Sequence, residues 1–225
     1  MNPEEVGSKI ETSLHALVDA RNALAAKYSW NDTDARLTIL NKCSSILIAI
    51  NLGYVFIHKC LSKEQWWREN STLPINHPQM VSGGNEFEMM LRISLIHNIL
   101  YSVESSFRIY VRAIDSSACS GGHSEFKGIY EWLLKRTGLQ CHSSLLDLWR
   151  NIRNTMHNNG LFMPQSGRDT NVMFKGVSYD FVVGKPAEFV TTEFIVDLLP
   201  DMTQTIIDVL ESSQVSSLSH LQEIT

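Results

Sequence analysis

Residues 143–160, Ser-Ser-Leu-Leu-Asp-Leu-Trp-Arg-Asn-Ile-Arg-Asn-Thr-Met-His-Asn-Asn-Gly, bring their apolar members back with the period of an α-helix. On a wheel of about 100° per residue from Leu145, the residues Leu148, Trp149, Ile152 and Met156 fall within ~60° and make one buried stripe. Arg153, His157 and Arg150 fall at ~80°, ~120° and ~140°, and Asn154 near ~180°. The pattern predicts an amphipathic helix from about Ser143 that stops at Asn158-Asn159-Gly160. Two guanidiniums and an imidazole then share one narrow stripe beside the core face. Such a stripe can hold a phosphate and move a proton.

Upstream of this helix the chain keeps the same period. Residues 4–27 carry Ile10, Leu14, Leu17, Val18 and Leu24 at helical spacing. Asn31-Asp32-Thr33-Asp34 offers N-caps for a second helix to about Leu61, with Ile39, Cys43, Ile46, Leu47, Ile50, Tyr54 and Ile57 inward. Ser62–Asn70 reads as a short amphipathic helix bearing Trp66 and Trp67, and residues 71–85, with Pro74, Pro78, Gly83 and Gly84, as a long loop. A third long helix is expected over about 86–115, on Phe87, Met90, Leu91, Ser94, Ile99, Val103, Phe107 and Tyr110. A Ser/Gly break at 116–122 precedes a short helix over 124–137 with Phe126, Ile129, Tyr130, Leu133 and Leu134 inward, closed by Gly138.

Downstream the character changes. Val172-Met173-Phe174, Lys175-Gly176 and Val177–Val183 read as a β-hairpin on a two-residue turn, with Val177, Tyr179, Phe181 and Val183 on one face. A last helix is expected from Thr191 or Thr192, with Phe194, Leu198, Met202, Ile206 and Leu210 in period and a kink or restart at Pro200. The Ser-rich tail after Glu211 is expected to fray. With no repeat and no dividing linker, the reading is a mainly α protein. It is a helical bundle in a single domain over 1–213, with a small β-hairpin before the C-terminal helix and a frayed 214–225.

Composition fits an ordinary globular chain. Of 225 residues, 44% are hydrophobic and 19% charged, and the net charge of −5 argues against a general nucleic-acid binder. Residues 120–190 are the locally basic region, with eight basic side chains against six acidic ones. The acidic N-terminus is followed by no apolar run, so no secretory signal is expected. The apolar run Ile46–Ile57 falls short of the roughly 20 residues that span a bilayer. The four cysteines, Cys43, Cys60, Cys119 and Cys141, lack paired short spacing, so neither zinc nor disulfides are expected. A cytoplasmic protein without a membrane partner is the expectation.

The motif residues carry a resemblance. An Arg followed by a polar residue, with a His four to six intervening residues later on a late helix, is the hallmark of the HEPN superfamily (higher eukaryotes and prokaryotes nucleotide-binding). Six residues intervene between Arg150, followed by the polar Asn151, and His157, which matches that spacing. Arg153-Asn154-Thr155-Met156-His157 has only three intervening residues, and resembles the Arg-Asn-Thr-x-His-Asn-Asn-Gly variant of some members. The resemblance covers the helical body from roughly residue 31 to 211, and its specific part is about eight residues. Family members are helical bundles, many of them metal-independent ribonucleases of toxin and phage-defence systems, and two motifs commonly meet at a dimer interface. The resemblance therefore implies an RNA endonuclease without cofactor or metal. Its implied partners are RNA, a second copy in a homodimer, and an antitoxin or other protein. A non-catalytic module that binds nucleotide, RNA or a protein is the alternative.

The chemistry can be argued from the residues themselves. Cleavage of RNA by its own 2′-hydroxyl needs a base, an acid and positive charge on the phosphorane. Histidine titrates near neutrality and serves as base or acid, and arginine grips phosphate oxygens bidentately. Arg150 and Arg153 are the candidate phosphate ligands, His157 the proton carrier and Asn154 the residue that orients the imidazole or binds a phosphate oxygen. A plainer reading stands beside this one. A histidine near a helix C-terminus favours the dipole, Asn or Gly takes the cap, and the arginines are solvated or paired with Asp147. Glu104 and Arg108, four apart, read as a helix pair, and His97 as a core or half-core residue. Trp66 and Trp67 read as one buried and one surface ring rather than a base-stacking pair. His15, His58, His77, His123, His142 and His220 show no ligand spacing.

Overall fold

The computed structural model describes residues 3–71, 76–118 and 125–222. It is mainly helical, with one two-stranded antiparallel sheet ahead of the C-terminal helices. In order, the elements are α1 (Pro3–Tyr28), α2 (Ala35–Phe56), a π-helical turn (Ile57–Leu61), α3 (Glu64–Asn70), α4 (His77–Ile114), α5 (Phe126–Thr137) and a 3-10 turn (Gln140–His142). They continue as α6 (Ser143–His157), β1 (Thr170–Phe174), β2 (Val177–Phe181), α7 (Thr192–Asp197), α8 (Leu199–Glu211) and α9 (Ser213–Ser216). Cys119, His123, Pro74 and most of the expected break at 116–122 lie outside the described residues.

α2 lies between α1 and α4, α6 packs on α4 and α5, and α8 closes against α1. Leu37, Ile39, Leu40, Cys43 and Leu47 of α2 are buried in this core, together with Leu95, Ile99, Val103 and Phe107 of α4. The two helices approach closely at Gly53, where a Cβ would stand 2.5 Å from Leu91 Cδ2. The 27 residues Ala35–Leu61 are long and apolar enough to cross a membrane by length and composition. Here they form a helix with one face in the core, while Ile48, Leu52 and Val55 remain exposed on the other.

The expected loop over 71–85 is corrected in its second half, because α4 already begins at His77. Asn76 accepts from the Gln79 amide at 3.1 Å and the Gln79 side chain accepts from the Asn76 amide at 3.0 Å, a reciprocal capping box. Pro78 falls in the first turn, where a missing N–H costs nothing. Gly83 lies within this helix, and its lack of a Cβ makes room for the Trp67 ring, 3.0 Å from where that atom would be. Trp66 and Trp67 are both half-buried, edge-to-face on one another, and Trp67 Nε1 donates to the Leu61 carbonyl at 2.8 Å. Their role is to seat α3 rather than to present bare rings.

Pro200 marks a restart, with α7 ending at Asp197 and α8 taking the proline into its first turn. The hairpin pairs Thr170 with Phe181 through Phe174 with Val177. Its turn, Lys175-Gly176, has φ of 49° and 77°, the left-handed pair that fits a two-residue hairpin. Phe181 is buried, Tyr179 half-buried and Val177 exposed, so the apolar face leaves the body towards the turn.

The tail is also corrected. Residues 213–222 do not fray but lie down on the start of α2. The buried Arg36 guanidinium donates to the carbonyls of Val215 (3.0 Å), Ser216 (3.2 Å), Leu218 (3.0 Å) and Ser219 (3.4 Å). It also donates to both Asp34 oxygens, at 2.8 and 2.7 Å. Val215 and Leu221 are buried beside it. Serine content measures local flexibility and says nothing about a distant guanidinium that needs acceptors.

Candidate functional site

α6 buries Leu145, Leu148, Trp149 and Ile152 completely or nearly so, and half-buries Met156. This fixes the helix rotation and delivers Arg150, Arg153, Asn154 and His157 to one edge. The helix ends with Asn159 and Gly160 in the left-handed region (φ 55° and 83°), and the Gly160 amide returns to the Thr155 carbonyl at 3.0 Å. The turn sends the chain out through Phe162–Ser166, which forms the far wall of an open groove of about 750 Å³. All four expected site residues line this groove, with Asn151, Glu104, Arg108 and Lys127.

The two arginines are tethered at one edge and unsatisfied at another. Arg153 Nη1 donates to Glu104 Oε2 at 3.0 Å, and Glu104 Oε1 accepts from Arg108 Nη2 at 2.6 Å. One carboxylate is thus shared by two guanidiniums, which leaves that cluster a net positive charge. Arg150 Nη2 stands 3.6 Å from Asp147, whose Oδ1 accepts the Tyr130 hydroxyl at 2.6 Å. Burial pushes the Tyr130 phenol well above its ordinary range, and the Asp147 carboxylate adds to that, so the hydroxyl stays protonated and donates. Both arginines keep an enclosed Nε without a hydrogen-bond partner. Between them, Asn151 is 2% exposed and its Nδ2 also lacks a partner. Buried N–H groups are rarely left unpaired in folded proteins. Trp149 Nε1, on the same helical turn, is likewise enclosed and unpartnered in the core.

His157 is exposed at the groove mouth. The ring of His97, from α4, stands against it with centroids 4.1 Å apart and planes at 73°. Asn154 is half-buried in the lining, and its carbonyl accepts from Asn158 Nδ2 at 2.8 Å. Among the described residues, no three histidine, cysteine or carboxylate side chains converge to hold a metal ion.

Two sequence readings change here. Glu104 and Arg108 do form a helix pair, but the same carboxylate reaches across to Arg153. His97 is half-buried, as expected, yet it lies against the motif histidine rather than among apolar side chains alone. Asn151 entered only as the polar neighbour of Arg150. His97 and Glu104 are about two turns apart on α4 and Arg153 and His157 about one turn apart on α6, so no shared spacing in the sequence pairs them.

No protein-family model, curated protein or solved structure matches this chain.

Proposed function

We propose that the chain is a metal-independent RNA endonuclease of HEPN type. The observation that carries the reading is one open groove lined by Arg150, Arg153, Asn154 and the exposed His157 imidazole. A scissile phosphodiester placed there lies against both guanidiniums, which offset the charge that grows on the phosphorane. The substrate 2′-oxygen attacks phosphorus and loses its proton to a base. The P–O5′ bond breaks and O5′ gains a proton. The products are a 2′,3′-cyclic phosphate and a 5′-hydroxyl. His157 takes one of the two proton transfers, and Asn154 borders the same groove as a ligand for phosphate or imidazole.

One His157 fills one proton role at a time. A homodimer across a two-fold axis repeats the stripe on both copies and supplies the second. Light scattering should show a dimer that RNA tightens by linkage. A strict monomer with full activity sinks the composite site and leaves the chemistry intact.

A second reading has its own observation. Each arginine already has a carboxylate within 3.6 Å or less, Glu104 for Arg153 and Asp147 for Arg150. That tethering suits a module that only anchors an RNA, nucleotide or partner. A 5′-labelled single-stranded RNA incubated with the protein in EDTA separates the two. The enzyme leaves fragments ending in cyclic phosphate, and a 2′-deoxy substitution at the cut site blocks cleavage. Binding without cleavage, or cleavage that requires a divalent metal, overturns the proposed mechanism.

A further inference from the structure

His157 is the last residue of α6, and an imidazole there would ordinarily swing freely. It is exposed, and no hydrogen bond or ion pair to a described residue holds its ring. What it does touch is His97. The ring centroids lie 4.1 Å apart with planes at 73°, an edge-to-face contact between two helices rather than within one. His97 projects from the middle of the 38-residue α4, flanked by the buried Leu95, Ile96, Ile99 and Leu100. Its own Nε2 is enclosed and has no hydrogen-bond partner.

We propose that His97 is the positioning residue of His157: its ring, carried on α4, fixes the direction in which the motif imidazole points into the groove. His97 is absent from the groove lining, so it acts through His157 and not on a bound phosphate. The two charged or titratable groups that face it from α6 are His157 and Arg153, while Glu104, two turns along α4, is held by Arg108 and Arg153. Burial first, then the charges of His157 and Arg153, hold the His97 proton affinity below the ordinary histidine range. At neutral pH His97 is therefore an uncharged wall. A charged imidazole at that distance would repel a protonated His157 and compete with it for the proton.

The kinetic arm of the test rests on the ribonuclease reading; the spectroscopic arm does not. With the full chain, RNA cleavage and histidine ring NMR would be measured for wild type, His97→Ala and His97→Phe. His97→Ala should lower kcat by about 10- to 100-fold, since a misplaced catalytic group costs on that order, and leave KM within about twofold. His97→Phe keeps a neutral ring and should restore most of kcat, with a pH–rate profile that overlays wild type. The carbon-bound ring protons of His157 should carry a ring-current shift that His97→Ala removes and His97→Phe retains. A His157 spectrum indifferent to His97→Ala overturns the proposal, whether or not any RNA is cut. So does a His97→Phe enzyme as slow as His97→Ala with the His157 signals in place, because His97 would then be supplying chemistry of its own. If wild type cuts no RNA while the ring shift depends on His97, the positioning stands and the ribonuclease reading falls.

Discussion

His157→Ala should lower RNA cleavage about 10²- to 10⁴-fold, the range expected when a general acid or base is removed, while the thermal midpoint stays close to wild type. The two halves of that expectation come from different parts of the structure. The imidazole is exposed and contributes no core contact beyond the His97 ring. The rotation of α6 is set by Trp149, Leu148 and Ile152, each fully buried and untouched by the change. Arg150 and Arg153 keep their carboxylate tethers, so RNA affinity should fall much less than kcat. That split distinguishes chemistry from anchoring. A variant that binds RNA normally and cuts at the wild-type rate refutes the assignment of His157. A variant that loses affinity in proportion to rate points to the anchoring module instead.

Much of the fold is legible because each helix announces itself locally. Leu145, Trp149, Ile152 and Met156 define α6 on a wheel alone, and Lys175-Gly176 between alternating apolar residues defines the hairpin. Pro78 and Gly83-Gly84 mislead for a physical reason. Proline breaks a helix only where its missing N–H and its ring collide with a preceding turn, and at the first turn there is none. Gly83 is paired with a tryptophan from another element, information that no window around residue 83 contains. The site divides in the same way. Arg150, Arg153, Asn154 and His157 share one helix edge, so periodicity places them together. Glu104 and His97 join them across the α4–α6 packing, which depends on how two helices cross. Asn151 becomes interesting only once its surroundings show that nothing satisfies its amide. Local pattern reveals which groups share a face; burial and missing partners are visible only once the helices are packed.

Arg36→Met is expected to be the most damaging single change to stability, for a reason located far from the groove. Asp34 and Arg36 are both about 2% exposed in their side chains, and the guanidinium also serves four carbonyls of the 215–219 segment. Removing one partner of such a buried pair costs about 3–5 kcal/mol, because the other charge stays buried. For a chain of this size that is a fall in thermal midpoint of roughly 6–20 °C. The tail amides of 213–222 should lose hydrogen-exchange protection first. The pH dependence should change sign. In wild type, burial alone would raise the Asp34 pKa, but the Arg36 side chain, the Arg36 amide and the Leu221 amide outweigh it and hold the carboxyl below its ordinary range. A folded-state pKa below the unfolded one contributes stability that is present above the ordinary carboxylate range, near pH 4, and is lost as pH falls through the folded value. Without Arg36, burial dominates, the Asp34 pKa rises above its unfolded value, and the variant should lose stability as pH climbs past about 4. Urea unfolding at pH 5 and pH 8 measures this directly. The Arg36→Met protein should be less stable at pH 8 than at pH 5, and Asp34→Asn added to Arg36→Met should recover part of the loss. Equal stability of Arg36→Met and wild type at both pH values would mean that the tail is held by Val215 and Leu221 alone and that the buried pair is incidental.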